Sequence, residues 1–130
     1  DGADCRLVKQ RLTELCRSGG RPDSIIRIAC QELEAWYLGV PDTLIQVYNL
    51  SDTTKRNRLK KQRNPDRTGS PSRLISGLIP EFRKMDGARR MGHAMPLDET
   101  AGSSISFQVF VRGLKRWISS AKPADKDAEE

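Results

Sequence analysis

The run Ser24-Ile25-Ile26-Arg27-Ile28-Ala29-Cys30, followed by Gln31-Glu32-Leu33-Glu34-Ala35-Trp36-Tyr37-Leu38-Gly39, decides how this chain is read. A short Ile-rich run predicts a buried β-strand, because branched side chains suit a pleated, covered backbone. The segment after it places Leu33, Trp36 and Tyr37 at helical spacing and stops at Gly39, so a helix over 31–38 is expected. Glu32 and Glu34 then fall where the C-terminal end of the strand turns into a helix. In α/β folds that edge handles ligands and metal ions.

Upstream, Asp1-Gly2-Ala3-Asp4-Cys5 has the composition of a strand-to-helix turn, and residue 1 is Asp rather than Met. The expectation is that these 130 residues are the C-terminal part of a larger protein. A helix from about 4 to 17 follows, with Asp4 as N-cap and Gly19-Gly20 at its end. Its Cys5, Val8, Leu12, Leu15 and Cys16 share an arc of about 100°, which predicts one buried face.

A strand before Asp1, this helix and the strand at 24–30 would make one βαβ unit with a right-handed crossover. Parallel strands end on the same edge, so Asp1 or Asp4 would meet Glu32 there. Clustered carboxylates are the oxygen-rich setting Mg²⁺ prefers. A plainer role weighs against this: acidic residues in a first helical turn complement the helix dipole. Glu32 and Glu34 also stand about 200° apart around a helix, so at most one of them faces a site.

Downstream, Pro41-Asp42 starts a short helix through Leu44, Ile45 and Tyr48, which Ser51-Asp52-Thr53-Thr54 breaks. Residues 55–67 hold seven basic residues and one acidic one, and Lys55, Arg56, Arg58, Lys60, Lys61 and Arg63 are candidates for contact with a nucleic-acid backbone. Ser70-Pro71-Ser72 reads as a helix start carrying Leu74, Ile75 and Leu78. Residues 80–102 show little periodicity and are expected to form a long loop. Phe107, Phe110, Val111, Leu114, Trp117 and Ile118 share an arc of about 120° on a final helix that docks on the core. The domain is expected over 1–118, with 119–130 a disordered tail.

The chain carries 23 Lys and Arg against 17 Asp and Glu, a net charge of +6. The tail holds two of those bases and four of those acids, so the rest carries +8. Such a balance favours anionic partners, although a basic run is also ordinary solvated surface. No apolar run approaches the ~18 residues of a membrane span, and a soluble, cytoplasmic protein is expected. Cys5, Cys16 and Cys30 lack C-x-x-C spacing and His93 is the only histidine, so reduced, buried thiols are expected rather than zinc. No G-x-S-x-G turn or Gly-rich phosphate loop is present.

Several stretches together resemble a bacterial family of uncharacterised proteins, domain-of-unknown-function family 4276, which is grouped with Toprim-like folds. They are Asp1 to Cys5, Arg27 to Gly39, Asn64-Pro65-Asp66-Arg67 with Ser70-Pro71-Ser72, Gly87-Ala88-Arg89, and Ser106 to Phe110. The resemblance implies a helix-rich α/β fold, a fragment of a Toprim-like parallel-sheet domain with a helical C-terminal part. Toprim-like domains hold Mg²⁺ with an early Glu and a later Asp-x-Asp. By that match Asp1 is the second Asp of the pair, and the rest of the motif lies upstream.

Two functions are therefore weighed. In the first, the intact protein is a Mg²⁺-dependent nuclease in which Asp1 and Glu32 are catalytic and Asp1, Asp4 and Glu32 hold the metal, while this chain alone is inactive. In the second, suggested by the resemblance, it is a non-catalytic module that docks an ATPase partner in a bacterial defence-type system. Met85, Met91, His93 and Met95 would then offer adaptable contacts. An unpaired sheet edge would also favour self-association.

Overall fold

The structure, a computed structural model, describes residues 4–98 and 100–121. Seven α-helices order it: α1 (Cys5–Ser18), α2 (Glu34–Leu38), α3 (Pro41–Val47), α4 (Thr53–Lys60), α5 (Pro71–Leu78), α6 (Lys84–Ala94) and α7 (Ile105–Ser120), with a 3₁₀ turn at Pro65–Arg67. Asp1 and the tail from residue 122 lie outside the described residues.

The core forms where α2 to α6 meet. Leu38, Leu44, Leu59, Ile75, Ile79 and Met91 are fully buried there, and Tyr37, Tyr48 and Phe82 close its sides. Proline at the first position starts α3 and α5, where its missing N–H costs nothing. The guanidinium of Arg90 lies 5.3 Å from the centre of the Tyr48 ring and pairs with Asp86 at 2.9 Å, covering the α3–α6 contact with a cation.

The expected α/β architecture is not what forms. Among the described residues there is no strand and no sheet, so the chain is not a parallel-sheet fragment. Residues 25–30 do run without helical structure, as their branched side chains favour. A strand, however, needs a ladder partner, and none of the described segments supplies one. The segment is held by Arg27 instead, which donates from its side chain to Ile26 O at 2.8 Å and Val109 O at 3.3 Å. That guanidinium fills the space a Cβ would take at Gly113 of α7, where Nη2 lies 2.5 Å away. Gln31, at φ 70°, then turns the chain, and the helix starts at Glu34 rather than 31.

Three further expectations are revised. The face of α1 is not buried: Leu12 and Leu15 are exposed, and the helix contributes no buried residue. Within residues 80–102, expected as loop, Lys84–Ala94 form the helix α6, which periodicity missed because Gly87 and Gly92 interrupt the pattern. Gly87 is there for closeness, since a Cβ would stand 2.5 Å from the Phe82 ring. Phe107 and Val111 of α7 dock as expected, but Trp117 and Ile118 remain more than half exposed. No helix among the described residues is long and apolar enough to cross a membrane.

The placement of the core sets a clear contrast. Leu44→Ala should cost about 2–5 kcal/mol in urea unfolding, as a buried methyl cluster is lost and a cavity is left. Leu15→Gln, at an exposed position of what would be an apolar face, should change stability by less than about 0.5 kcal/mol. Comparable losses for both would place α1 inside the core.

Candidate anion-binding cleft

The site is built around the N-terminus of α7. Ser104 caps that helix, its Oγ accepting from Phe107 N–H at 3.2 Å. Asp66, carried by the 3₁₀ turn, spans the same end. Its Oδ1 accepts from the Ser104 hydroxyl at 2.7 Å and the Ser106 hydroxyl at 2.9 Å, and its Oδ2 accepts from Ser106 N–H at 2.7 Å. A carboxylate there takes up orphan donors and meets the positive end of the helix dipole. From α2, Trp36 Nε1–H donates to Ser106 Oγ at 2.8 Å. The Trp36 indole stacks on Phe110, with ring centres 5.0 Å apart. One carboxylate thus ties the turn, α7 and, through Ser106, α2.

Beside this node opens a cleft of about 680 Å³. Arg6 and Lys9 of α1 form one wall, with Cys5. Arg27, Ile28, Cys30 and Gln31 of the extended segment form another. Asn64 and Arg67 flank Asp66 on the third side, and Ile105, Ser106 and Val109 of α7 complete the lining. Four cations therefore face a space with a single carboxylate, and that carboxylate is engaged by three donors. Among the described residues the ion pairs are Lys60–Asp42, Lys84–Glu34 and Arg90–Asp86, and none takes up Arg6, Lys9, Arg27 or Arg67.

Of the residues expected to hold a metal, Asp4 and Glu32 are placed elsewhere. Asp4 caps α1, its Oδ1 accepting from Arg6 N–H at 2.9 Å. Glu32 reaches 40 residues along the chain to α5, its Oε2 accepting from Ser72 N–H at 2.8 Å. That bond, helped by the Ser72 hydroxyl and the charges of Lys84 and Arg73, holds the Glu32 carboxyl below its usual value against the opposing effect of burial. Among the described residues no three His, Cys, Asp or Glu come together as ligands. The described residues alone therefore do not assemble the oxygen donor set that Mg²⁺ requires. Asp1 lies outside them.

Glu34, on the neighbouring register, is almost fully buried, with Lys84 Nζ 4.0 Å from its Oε1. Burial, and then the charge of Glu34, push the Tyr37 hydroxyl up to about 12, which keeps it protonated. The expected nucleic-acid contacts Lys55, Arg56, Arg58 and Lys60 stand on α4, with Lys61 at its C-cap and Arg63 one residue before Asn64. Lys60 is paired with Asp42 at 3.5 Å. The methionines expected on a loop divide along α6, Met91 being fully buried and Met85 exposed.

Sequence reasoning did not identify the Asp66 node. Two signals pointed to it: Asp66 is the one acid in the basic run, held by a proline turn, and Ser104 precedes an amphipathic helix as a cap. It also missed Glu32 as the acceptor at the start of α5, where Ser70 takes the N-cap position without a side-chain bond.

Two substitutions test this electrostatic wiring. Asp66→Asn places an amide nitrogen against one of three donors and should cost about 2 kcal/mol in urea unfolding; a change under about 0.5 kcal/mol would deny the node its structural weight. Glu32→Gln should cost about 1 kcal/mol at neutral pH. Because the folded carboxyl lies below the usual value of 4.5, its contribution is complete above that pH and is lost as pH falls through the lower folded value. Melting temperatures of the two proteins should therefore converge in acid, and a gap constant with pH would contradict the assignment.

No curated protein and no solved structure matches this sequence. The model of one family, described as a domain of unknown function (DUF4276), matches residues 3–115, nearly the whole described chain. The chain belongs to the DUF4276 family.

Proposed function

We propose that this chain is a nucleic-acid-binding domain that seats a phosphodiester backbone in the cleft between α1, the extended segment and α7. The observation that carries this reading is the lining: Arg6, Lys9, Arg27 and Arg67 converge with no ion-pair partner among the described residues. Arg27 is partly spent on Val109 O, so Arg6, Lys9 and Arg67, all exposed, are the groups free to meet phosphate oxygens. Asn64 adds an amide donor to the same wall. Arg63, one residue outside the cleft, and the bases of α4 extend the positive surface along the chain.

This interface reads charge and shape rather than bases. Trp36, Phe107 and Phe110 pack on one another, with ring centres 5.0 to 6.4 Å apart, so they are not free to stack on bases. No hydrolytic step is attached to this cleft, since Asp4 is bonded to Arg6 N–H and Glu32 to Ser72 N–H. The supported step is backbone capture. Each phosphate neutralised releases counterions, so affinity should fall steeply with salt.

A second reading, a docking module for a protein partner such as an ATPase, is favoured by one observation. Ile25 and Trp117 line a shared shallow groove while both are exposed, at 39% and 53%. Large apolar side chains left in water beside each other suit a protein surface.

The test is fluorescence anisotropy with labelled single- and double-stranded DNA and RNA over a salt series. The double variant Lys9→Ala, Arg67→Ala should weaken binding for all sequences alike and reduce the slope of log affinity against log salt by about two. Binding unaffected by the double variant would move the interface to α4. No binding by the folded chain would overturn the nucleic-acid reading and leave the Ile25–Trp117 groove as the working surface.

A further inference from the structure

The cleft holds a second chemistry that its cations do not use. The Cys5 and Cys30 sulfurs lie 3.1 Å apart, one on the first residue of α1 and the other at the end of the extended segment, 25 residues later. Both thiols are half-buried and line the open cleft, so a small solute reaches them. A disulfide needs about 2.05 Å between sulfurs, roughly an ångström less than the present separation. The third cysteine, Cys16, lies further along α1 and does not line this cleft.

We propose that Cys5 and Cys30 form a reversible disulfide that tethers α1 to the extended segment, with peroxide as the oxidant. In the first step one thiol sulfur takes an oxygen from hydrogen peroxide, giving a sulfenic acid and one water. In the second the other thiol attacks that sulfur, the S–S bond forms, the S–OH bond breaks, and a second water leaves with the thiol proton. Two thiols lose two electrons in all, and the peroxide accepts both.

Burial, then the hydrogen bond and charge of Cys5, push the Cys30 thiol up to about 12, which keeps it protonated. The thiolate is the form that peroxide oxidises, so Cys30 is the poorer first target and the thiol suited to the second step.

The bond has a definite mechanical consequence. α1 is the least anchored helix, with no buried residue, and it carries Arg6 and Lys9 of the cleft wall. Closing the S–S bond fixes its N-terminal turn to residue 30, which in turn precedes Gln31 and the bend into α2. The oxidised chain holds that wall in place; the reduced chain leaves α1 supported by half-buried contacts alone. This inference does not depend on what the cleft binds.

Trypsin separates the three cysteines into peptides 1–6, 12–17 and 28–55, which makes the test direct. The native chain is treated with hydrogen peroxide, blocked with a thiol alkylating agent, digested without reductant and mapped by mass. Expected is a linked peptide of 1–6 with 28–55, two hydrogens lighter than the free pair, with Cys16 recovered alkylated. Dithiothreitol should restore both thiols, and the linked chain should run as a monomer on a non-reducing gel. Hydrogen exchange through α1 should slow in the oxidised form. Separate alkylated or sulfinic peptides for Cys5 and Cys30, a link through Cys16, or a link between molecules would each overturn the pairing. A correct bond that leaves exchange through α1 unchanged would overturn the tether.

Discussion

The Asp66 carboxylate is the constraint on which the arrangement of this molecule depends. It accepts three hydrogen bonds from Ser104 and Ser106 at the start of α7, and Ser106 in turn accepts from the Trp36 indole. Without it, the α7 N-terminus would present unmet donors next to a half-buried indole, a costly combination away from water. Its position fixes three things at once: the angle of α7, the seat of Trp36 against Phe110, and the direction in which Asn64 and Arg67 project. Close backbone approach completes the joint. A Cβ at Gly39 would stand 2.9 Å from Ser104 N, and Gly102, at φ +80°, passes so near that its Cβ would lie 2.7 Å from Gly39 O. Only glycine allows the α2–α3 corner and the lead-in to α7 to meet this closely.

The same device recurs through the fold. Asp4 caps α1, Asp52 caps α4 through Lys55 N–H at 3.0 Å, Glu32 serves α5 from a distance, and Asp66 serves α7. Carboxylates on a basic chain are thus spent on helix dipoles. That use matters for reading the acidic residues as a metal centre. A carboxylate oxygen already holding a helix N–H is less available to a cation, and the four stand on four different helix starts.

How much of this was legible follows the range of each interaction. The cap at Asp4, the proline starts of α3 and α5, and the apolar stripe of α7 around Phe107 and Val111 are local patterns, and the sequence shows them. The strand at 24–30 failed for a physical reason: β propensity in Ile25, Ile26 and Ile28 sets the local backbone, but pairing is a property of another segment. Trp117 and Leu15 failed in the same way, since periodicity identifies an apolar face without showing what covers it. α6 was hidden because Gly87 and Gly92 lower helix propensity, while the reason for Gly87 is a tertiary contact with Phe82. Glu32 to Ser72 and Asp66 to Ser106 each span 40 residues, beyond any pattern that spacing reveals. The family stretches nevertheless mark these places: the Asn64 to Arg67 run forms the turn, and Ser106 to Phe110 forms its receptor on α7.

A net positive surface attracts anions anywhere on its face, so charge alone does not place a site. What distinguishes the cleft is how its negative charge is used. Asp42 and Asp86 neutralise neighbouring bases on the surface, whereas Asp66 turns both oxygens toward hydroxyl and amide donors. Arg67, adjacent to it in sequence, has no ion-pair partner among the described residues, and neither do Arg6 and Lys9 across the gap. The acid that would otherwise cancel these cations is committed to the architecture. By holding α7 in place, Asp66 leaves the opposing cations without an ion-pair partner among the described residues, and that is the charge the proposed phosphate oxygen would supply.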